Sequence, residues 1–127
     1  MRVLALDYGS ARCGCAVSDP TGMLATPLES VPDPGSDRGL GEIARLIGER
    51  GVEEVVVGLP VSLSGEEHAQ AAEAREFSAR LAERLEVPVT TFDERFTTAL
   101  ARRTPGRLPE DSRAAAHLLE SYLSARR

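Results

Sequence analysis

The chain has 127 residues, 42% hydrophobic and 28% charged, a length and composition that suit one ordinary globular domain around a single core. No apolar run approaches the roughly 18 residues that a membrane-spanning helix needs, and the opening MRVLALDYGS turns acidic too early for a secretory leader, so no membrane role and a cytoplasmic location are expected. A net charge of −5 argues against a polyanionic partner, but residues 1–94 carry 8 Arg against 17 acids, a net −9, and residues 95–127 carry 7 Arg against 3, a net +4.

Residues Arg2 to Asp7 and Arg12 to Asp19 are short apolar runs separated by Tyr8-Gly9-Ser10-Ala11, which predicts a hairpin. Cys13 and Cys15 stand two apart on the second run, on one side of it and too close for an ordinary disulfide. They read as small buried fillers, since no second Cys or His pair lies at metal-ligand spacing. Met23 to Val31 is a third extended run, and Pro27 marks it as an irregular or edge strand. From Leu40 the apolar residues Ile43, Leu46 and Ile47 form a helical stripe that stops before Gly51. Val55-Val56-Val57 is a β-branched run of the kind buried on both faces of a parallel sheet. Glu66 to Glu86 is a long helix with Phe77, Leu81 and Leu85 spaced by four, and Val89 to Phe92 is the last strand. Thr97 to Arg103 is a short helix, and Pro109 to Ala125 is the final one, with Leu118, Leu119, Tyr122 and Leu123 facing inward. The order is three antiparallel strands and then α, β, α, β, α, which predicts an α/β protein with a mixed five-stranded sheet flanked by helices.

Three acidic positions lie at the ends of elements: Asp7, the Asp93-Glu94 pair and Asp111. Ligands bind at the C-terminal strand ends of open α/β sheets. The small residues Ala114, Ala115 and Ala116 would let the last helix lie close to the sheet beside that rim. Each acid alone has a simpler reading: Asp7 as a turn residue, Asp111 at a helix start, Glu94 paired with Arg95. Together they are a set of hard oxygen donors suited to Mg²⁺ or Mn²⁺. The stretch from Gly58-Leu59-Pro60 to Gly65 reads equally as a phosphate-binding loop or as a connector, and Tyr8 either stacks on a base or packs locally. His68 and His117 are lone helix residues read as facing solvent.

Leu6-Asp7-Tyr8-Gly9-Ser10-Ala11-Arg12-Cys13-Gly14-Cys15-Ala16-Val17-Ser18-Asp19 resembles the opening D-x-G-x-K-R-x-G-x-A-x-S-D of the YqgF/RuvX family, the RuvC-like Holliday junction resolvases. Val56-Val57-Gly58-Leu59-Pro60 with Gly65 and Gln70-Ala71 resembles its second block, and Asp93-Glu94-Arg95-Phe96-Thr97-Thr98 its third. Asp111, Ala114-Ala115, Leu118-Leu119 and Tyr122-Leu123 resemble the fourth. The resemblance implies one RNase H-like domain over residues 1–127, catalytic and metal-holding roles for Asp7, Glu94 and Asp111 with Mg²⁺ or Mn²⁺, and substrate contacts at Gly9, Arg12, Gly58, Arg95, Thr97 and Thr98. The implied substrate is a four-way DNA junction or the precursor of 16S ribosomal RNA. The first wants a two-fold homodimer, whereas a monomer suffices for the second.

Two departures from the family pattern stand out. Ala11 replaces the usual Lys, and the stretch from Glu94 to Asp111 is short, with Arg102, Arg103 and Arg107 in it. Two other readings compete: a nucleic-acid- or ribosome-binding module that does not cut, and an actin-like ATPase, for which 127 residues leave no second domain.

Overall fold

The computed structural model describes residues 1–60, 69–93 and 110–126. These form β1 (Val3–Asp7), β2 (Arg12–Ser18), β3 (Ala25–Pro32), α1 (Asp37–Arg50), β4 (Glu54–Leu59), α2 (Ala69–Arg84), β5 (Val89–Asp93) and α3 (Glu110–Arg126). The order agrees with the sequence pattern. The helix expected over Thr97 to Arg103 and the first turn expected from Glu66 lie outside the described residues.

The strands form one sheet in the order β3-β2-β1-β4-β5. β1 pairs antiparallel with β2 and parallel with β4, β2 pairs antiparallel with β3, and β4 pairs parallel with β5. β1 is therefore the middle strand, and Val3, Leu4, Ala5 and Leu6 are all fully buried. β3 is an edge strand, as Pro27 suggested, and its register with β2 shifts between Cys13 and Cys15. A bulge of this kind bends an edge and discourages pairing with another chain.

Side chains alternate across a strand, so each strand feeds two cores. Leu4, Leu6, Cys13, Cys15, Val55 and Val57 join Leu40, Ile43, Phe77 and Leu81 of α1 and α2 on one face. Val3, Ala5, Ala16 and Val56 meet Ala115, Ala116, Leu118, Leu119, Tyr122 and Leu123 of α3 on the other. The second core sets Ala115 and Ala116 of α3 with Ala5 and Ala16 of the sheet among larger residues, and these small side chains let that part of α3 lie close to the sheet. Ala114 is exposed and takes no part in that close approach. Neither cysteine forms a disulfide and both are buried, as fillers should be.

Local chemistry sets the boundaries of the elements. Ser36 caps α1 by accepting from the Gly39 amide at 3.0 Å, and Gly51 ends the helix in the left-handed conformation at φ 63°. In the β2–β3 turn, Asp19 accepts from the amides of Met23 and Leu24 at 2.8 and 3.0 Å, and from the Thr21 hydroxyl. The Leu24 amide, the Thr21 hydroxyl and the Met23 amide, in that order, hold the Asp19 carboxyl well below the usual carboxylate range. Gly39 sits hard against the preceding turn, where a Cβ would lie 2.2 Å from the Asp33 carbonyl oxygen and 2.7 Å from Pro34 Cα. Backbone cannot give way as a flexible side chain can. Gly39→Ala is therefore expected to cost about 3 kcal/mol or more in urea unfolding. Gly41→Ala and Gly48→Ala, where an added Cβ meets nothing within 4 Å, are each expected to stabilise by about 0.5–1 kcal/mol through helix propensity.

Candidate active site

Asp7 is the last residue of β1 and is partly exposed at the C-terminal rim of the sheet. Alternation from Val3 and Ala5 sends its side chain to the face that α3 covers. On one side its strand partner is Gly14 of β2. On the other, β4 pairs Val57 with Leu6, and the same register carried one residue further brings Gly58 alongside Asp7. Asp7 thus stands between two residues that carry no side chain. Gly58 is buried within β4, which runs to Leu59, so the segment expected to be a loop from Gly58 begins later than the sequence suggested. Residues 61–68, which include Gly65 and His68, lie outside the described residues.

α3 is pinned to the sheet at both ends. The Ser112 hydroxyl, fully buried, donates to the Leu28 carbonyl. Leu28 pairs with Cys15, and Cys15 with Leu6, so this anchor is level with the residue before Asp7. At the far end the Tyr122 hydroxyl and the Arg126 guanidinium both donate to Glu54, whose strand partner is Val3. The helix therefore runs from the Asp7 rim down to the opposite end of the sheet. Asp111 precedes Ser112 in the first turn, so its backbone lies at the rim; its side chain is outside the described part.

The remaining expected residues fall in different places. Gly9 lies in the β1–β2 turn, where a Cβ would come within 2.7 Å of the Arg12 carbonyl oxygen, so the tight hairpin itself demands glycine. Arg12 is exposed at the start of β2, and alternation from Ala16 puts it on the α3 face with Asp7. Asp93 ends β5 in register with Leu59, on the face opposite Phe92, which packs with the α3 core; by alternation it points away from α3. Glu94, Arg95, Thr97, Thr98, Arg102, Arg103 and Arg107 lie outside the described residues. Among the described residues no group of three His, Cys, Asp or Glu side chains is placed to hold a metal ion. Also among them, no helix is long and apolar enough to cross a membrane.

Tyr8 packs locally, its ring 4.7 Å from that of Phe77 and tilted by 35°. His117 is not solvent-facing as expected: its side chain is 12% exposed, and its Nδ1 lies 3.9 Å from Glu120 with no hydrogen-bond partner. The stripe that buries Leu118 and Tyr122 carries the flank of α3 toward the sheet with it. Ser112 and Gly14 are the residues that sequence reading passed over. A glycine inside a strand run such as Cys13-Gly14-Cys15 marks a close approach, and that signal was available. Nothing local distinguishes Ser112.

Residues 1–125 match the family described as RuvX, Holliday junction resolvase. The chain belongs to the RuvX family. Among curated relatives, a "Putative pre-16S rRNA nuclease" of Chloroflexus aggregans is 42% identical over 98% of this chain and 94% of its own length. Another of that name from Desulforudis audaxviator is 39% identical over 100% of this chain and 96% of its own. Among solved structures, Thermus thermophilus RuvC in complex with a Holliday junction substrate aligns at TM-score 0.68 and 18% identity, covering 99% of this chain and 96% of that one. A second RuvC structure from the same organism gives 0.60 and 20%. The RuvX chain thus has the RNase H-like fold of RuvC, with strands 1–3 antiparallel.

Both tyrosines of this RuvX protein sit where ionisation is opposed. Burial, and then the nearby Glu73, pushes the Tyr8 hydroxyl above its ordinary value of 10.0. Burial, and then the hydrogen bond to Glu54, does the same for Tyr122. A pKa raised in the folded state means that this stability is complete below the unfolded value and lost as pH rises through the folded one. Ultraviolet titration of the phenolate band is therefore expected to show both tyrosines ionising above pH 10, with destabilisation beginning there. Ionisation of either at the free-tyrosine value would contradict this packing.

Proposed function

We propose that this chain is a divalent-metal-dependent nuclease, one domain over residues 1–127, that hydrolyses phosphodiester bonds of structured nucleic acid. The observation that carries the reading is the placement of Asp7: middle strand, C-terminal rim, α3 face, glycine on either side, and the helix start bearing Asp111 at the same rim. Carboxylate oxygens suit a hard cation better than a soft one. Asp7, Glu94 and Asp111 would hold Mg²⁺ or Mn²⁺. When bound, such an ion acts as a Lewis acid on the phosphodiester and lowers the pKa of attacking water.

The chain's own residues supply grip and orientation. Arg12, on the same face as Asp7, and Arg95, next to Glu94, offer planar two-point contacts to phosphate oxygens. Gly9 and Gly58 would add backbone contacts to the strand, and Thr97 and Thr98 would add hydroxyl donors. Ala11, where the family carries Lys, removes one phosphate contact, so more of the hold falls on arginine.

The precursor of 16S ribosomal RNA is the favoured substrate, because relatives about 40% identical over nearly the whole chain are named for it. The family description supplies the four-way DNA junction as the second substrate. Trimming RNA in the cytoplasm needs only a monomer, whereas coordinated cutting of two junction strands needs a two-fold dimer.

Purified protein given labelled precursor RNA and labelled four-way junctions, in Mg²⁺ and in Mn²⁺, is expected to cut the RNA. Chelation should stop cleavage, and Asp7→Asn should abolish it while circular dichroism shows the fold retained. Symmetric cuts in the junction alone would transfer the assignment to resolution. Salt-sensitive binding indifferent to metal, with no product from either substrate, would replace the enzyme with a binding module.

A further inference from the structure

Tyr8 follows Asp7, so its side chain leaves the sheet on the opposite face, toward α1 and α2. It lines a cleft of about 190 Å³ with Gly35, Glu73, Glu76, Phe77 and Arg80. We propose that this cleft is a base subsite, taking an unstacked guanine from the nucleic-acid strand held at Asp7; the inference rests on the nuclease reading above.

Size and position make the first part of the case. The cleft is smaller than a drug-sized pocket and suits one planar ring system. The Cα atoms of Asp7 and Tyr8 are about 3.8 Å apart. Their side chains leave on opposite faces, so a strand that passes over the end of β1 from Asp7 meets Tyr8 next. Phe77, 2% exposed, backs the Tyr8 ring and holds it as a platform on which a base can stack.

The chemistry of the walls selects the ligand. Glu73 and Glu76 lie on one exposed face of α2, three residues apart. Two carboxylates repel a phosphate, so the part of a strand that enters is the base. Arg80 is held at the mouth by donating one Nη to the Gly35 carbonyl, and its guanidinium has further donors to offer. The set therefore wants adjacent N–H donors facing the carboxylates and a carbonyl or ring nitrogen facing the arginine. Guanine has both, with N1–H beside the 2-amino group, and O6 beside N7. Cytosine and adenine place a ring acceptor next to their amino group, and uracil and thymine flank their one ring N–H with two carbonyls, so each sets a lone pair against a carboxylate.

The test uses the full chain without divalent metal and fluorescence anisotropy of labelled oligouridylate carrying a single guanine, inosine or uracil at one position. Guanine is expected to bind roughly tenfold more tightly than uracil, with inosine, which lacks the 2-amino group, falling between. A Cβ at Gly35 would lie 3.7 Å from the Arg80 Nη1 and 4.0 Å from the Tyr8 hydroxyl, ordinary contacts, so Gly35→Leu fills the cleft without displacing backbone. Gly35→Leu and the double variant Glu73→Gln/Glu76→Gln should each erase the preference; Tyr8→Leu should weaken binding of the guanine oligomer further. Equal affinity for the three oligomers, or a guanine preference that survives Gly35→Leu, overturns the subsite. Metal-dependent cleavage with no base preference would overturn it too while leaving the nuclease reading intact. A guanine preference in binding with no cleavage of any substrate would support the subsite and remove the nuclease.

Discussion

The burial of β1 on both faces is the constraint from which the rest of the molecule follows. A strand with a neighbour on either side and helices above and below has no solvent face, so each of its side chains must belong to one of two cores. Val3 and Ala5 go to the α3 side, Leu4 and Leu6 to the side of α1 and α2. The same alternation, carried two residues further, separates Asp7 from Tyr8. One strand end thereby presents a carboxylate to one face of the rim and an aromatic ring to the other, and a slip of one residue in register would exchange them.

α3 covers one face of that strand, and its two anchors do different work. Ser112 on the Leu28 carbonyl sets the height of the first turn against the sheet. At the other end Glu54, 8% exposed, receives the Tyr122 hydroxyl and Arg126, with the guanidinium 5.5 Å from the Tyr122 ring centre. A buried carboxylate so enclosed adds little net stability, because desolvation offsets most of the attraction. What it does is forbid other positions of the helix, since any slide along its axis would leave Glu54 buried without partners. Alanine against alanine beneath the helix allows that fit, and the anchors select one register within it.

The two faces of the rim also differ electrostatically. The α3 face gathers Asp7 and Arg12 with the turn that holds Asp111, an arrangement suited to a cation and a phosphodiester. On the opposite face Glu73 and Glu76 line the cleft that holds Tyr8, which suits the donor edge of a base and refuses its phosphate. A nucleic-acid strand crossing the end of β1 would meet the two environments one after the other.

Much of this was legible in the residues themselves. The hairpin, the irregular third strand, the β-branched run of β4, the glycine that ends α1 and the inward stripe of α3 all follow from local periodicity and turn chemistry, which need no partner to act. So does the choice of Asp7, a charged residue closing an apolar strand before Gly9. Tertiary structure alone decided the order β3-β2-β1-β4-β5, the register that puts Gly14 and Gly58 beside Asp7, and the burial of Ser112 and the flank bearing His117. It also turned Tyr8 onto Phe77 and assigned Asp93 to the face away from α3. The physical reason is that periodicity within a segment says which residues share a side, whereas pairing between segments is settled by contacts distant in sequence. The amino-acid sequence by itself named the candidate side chains, and only the packing of α3 across the sheet brought the turn that holds Asp111 to the rim at Asp7.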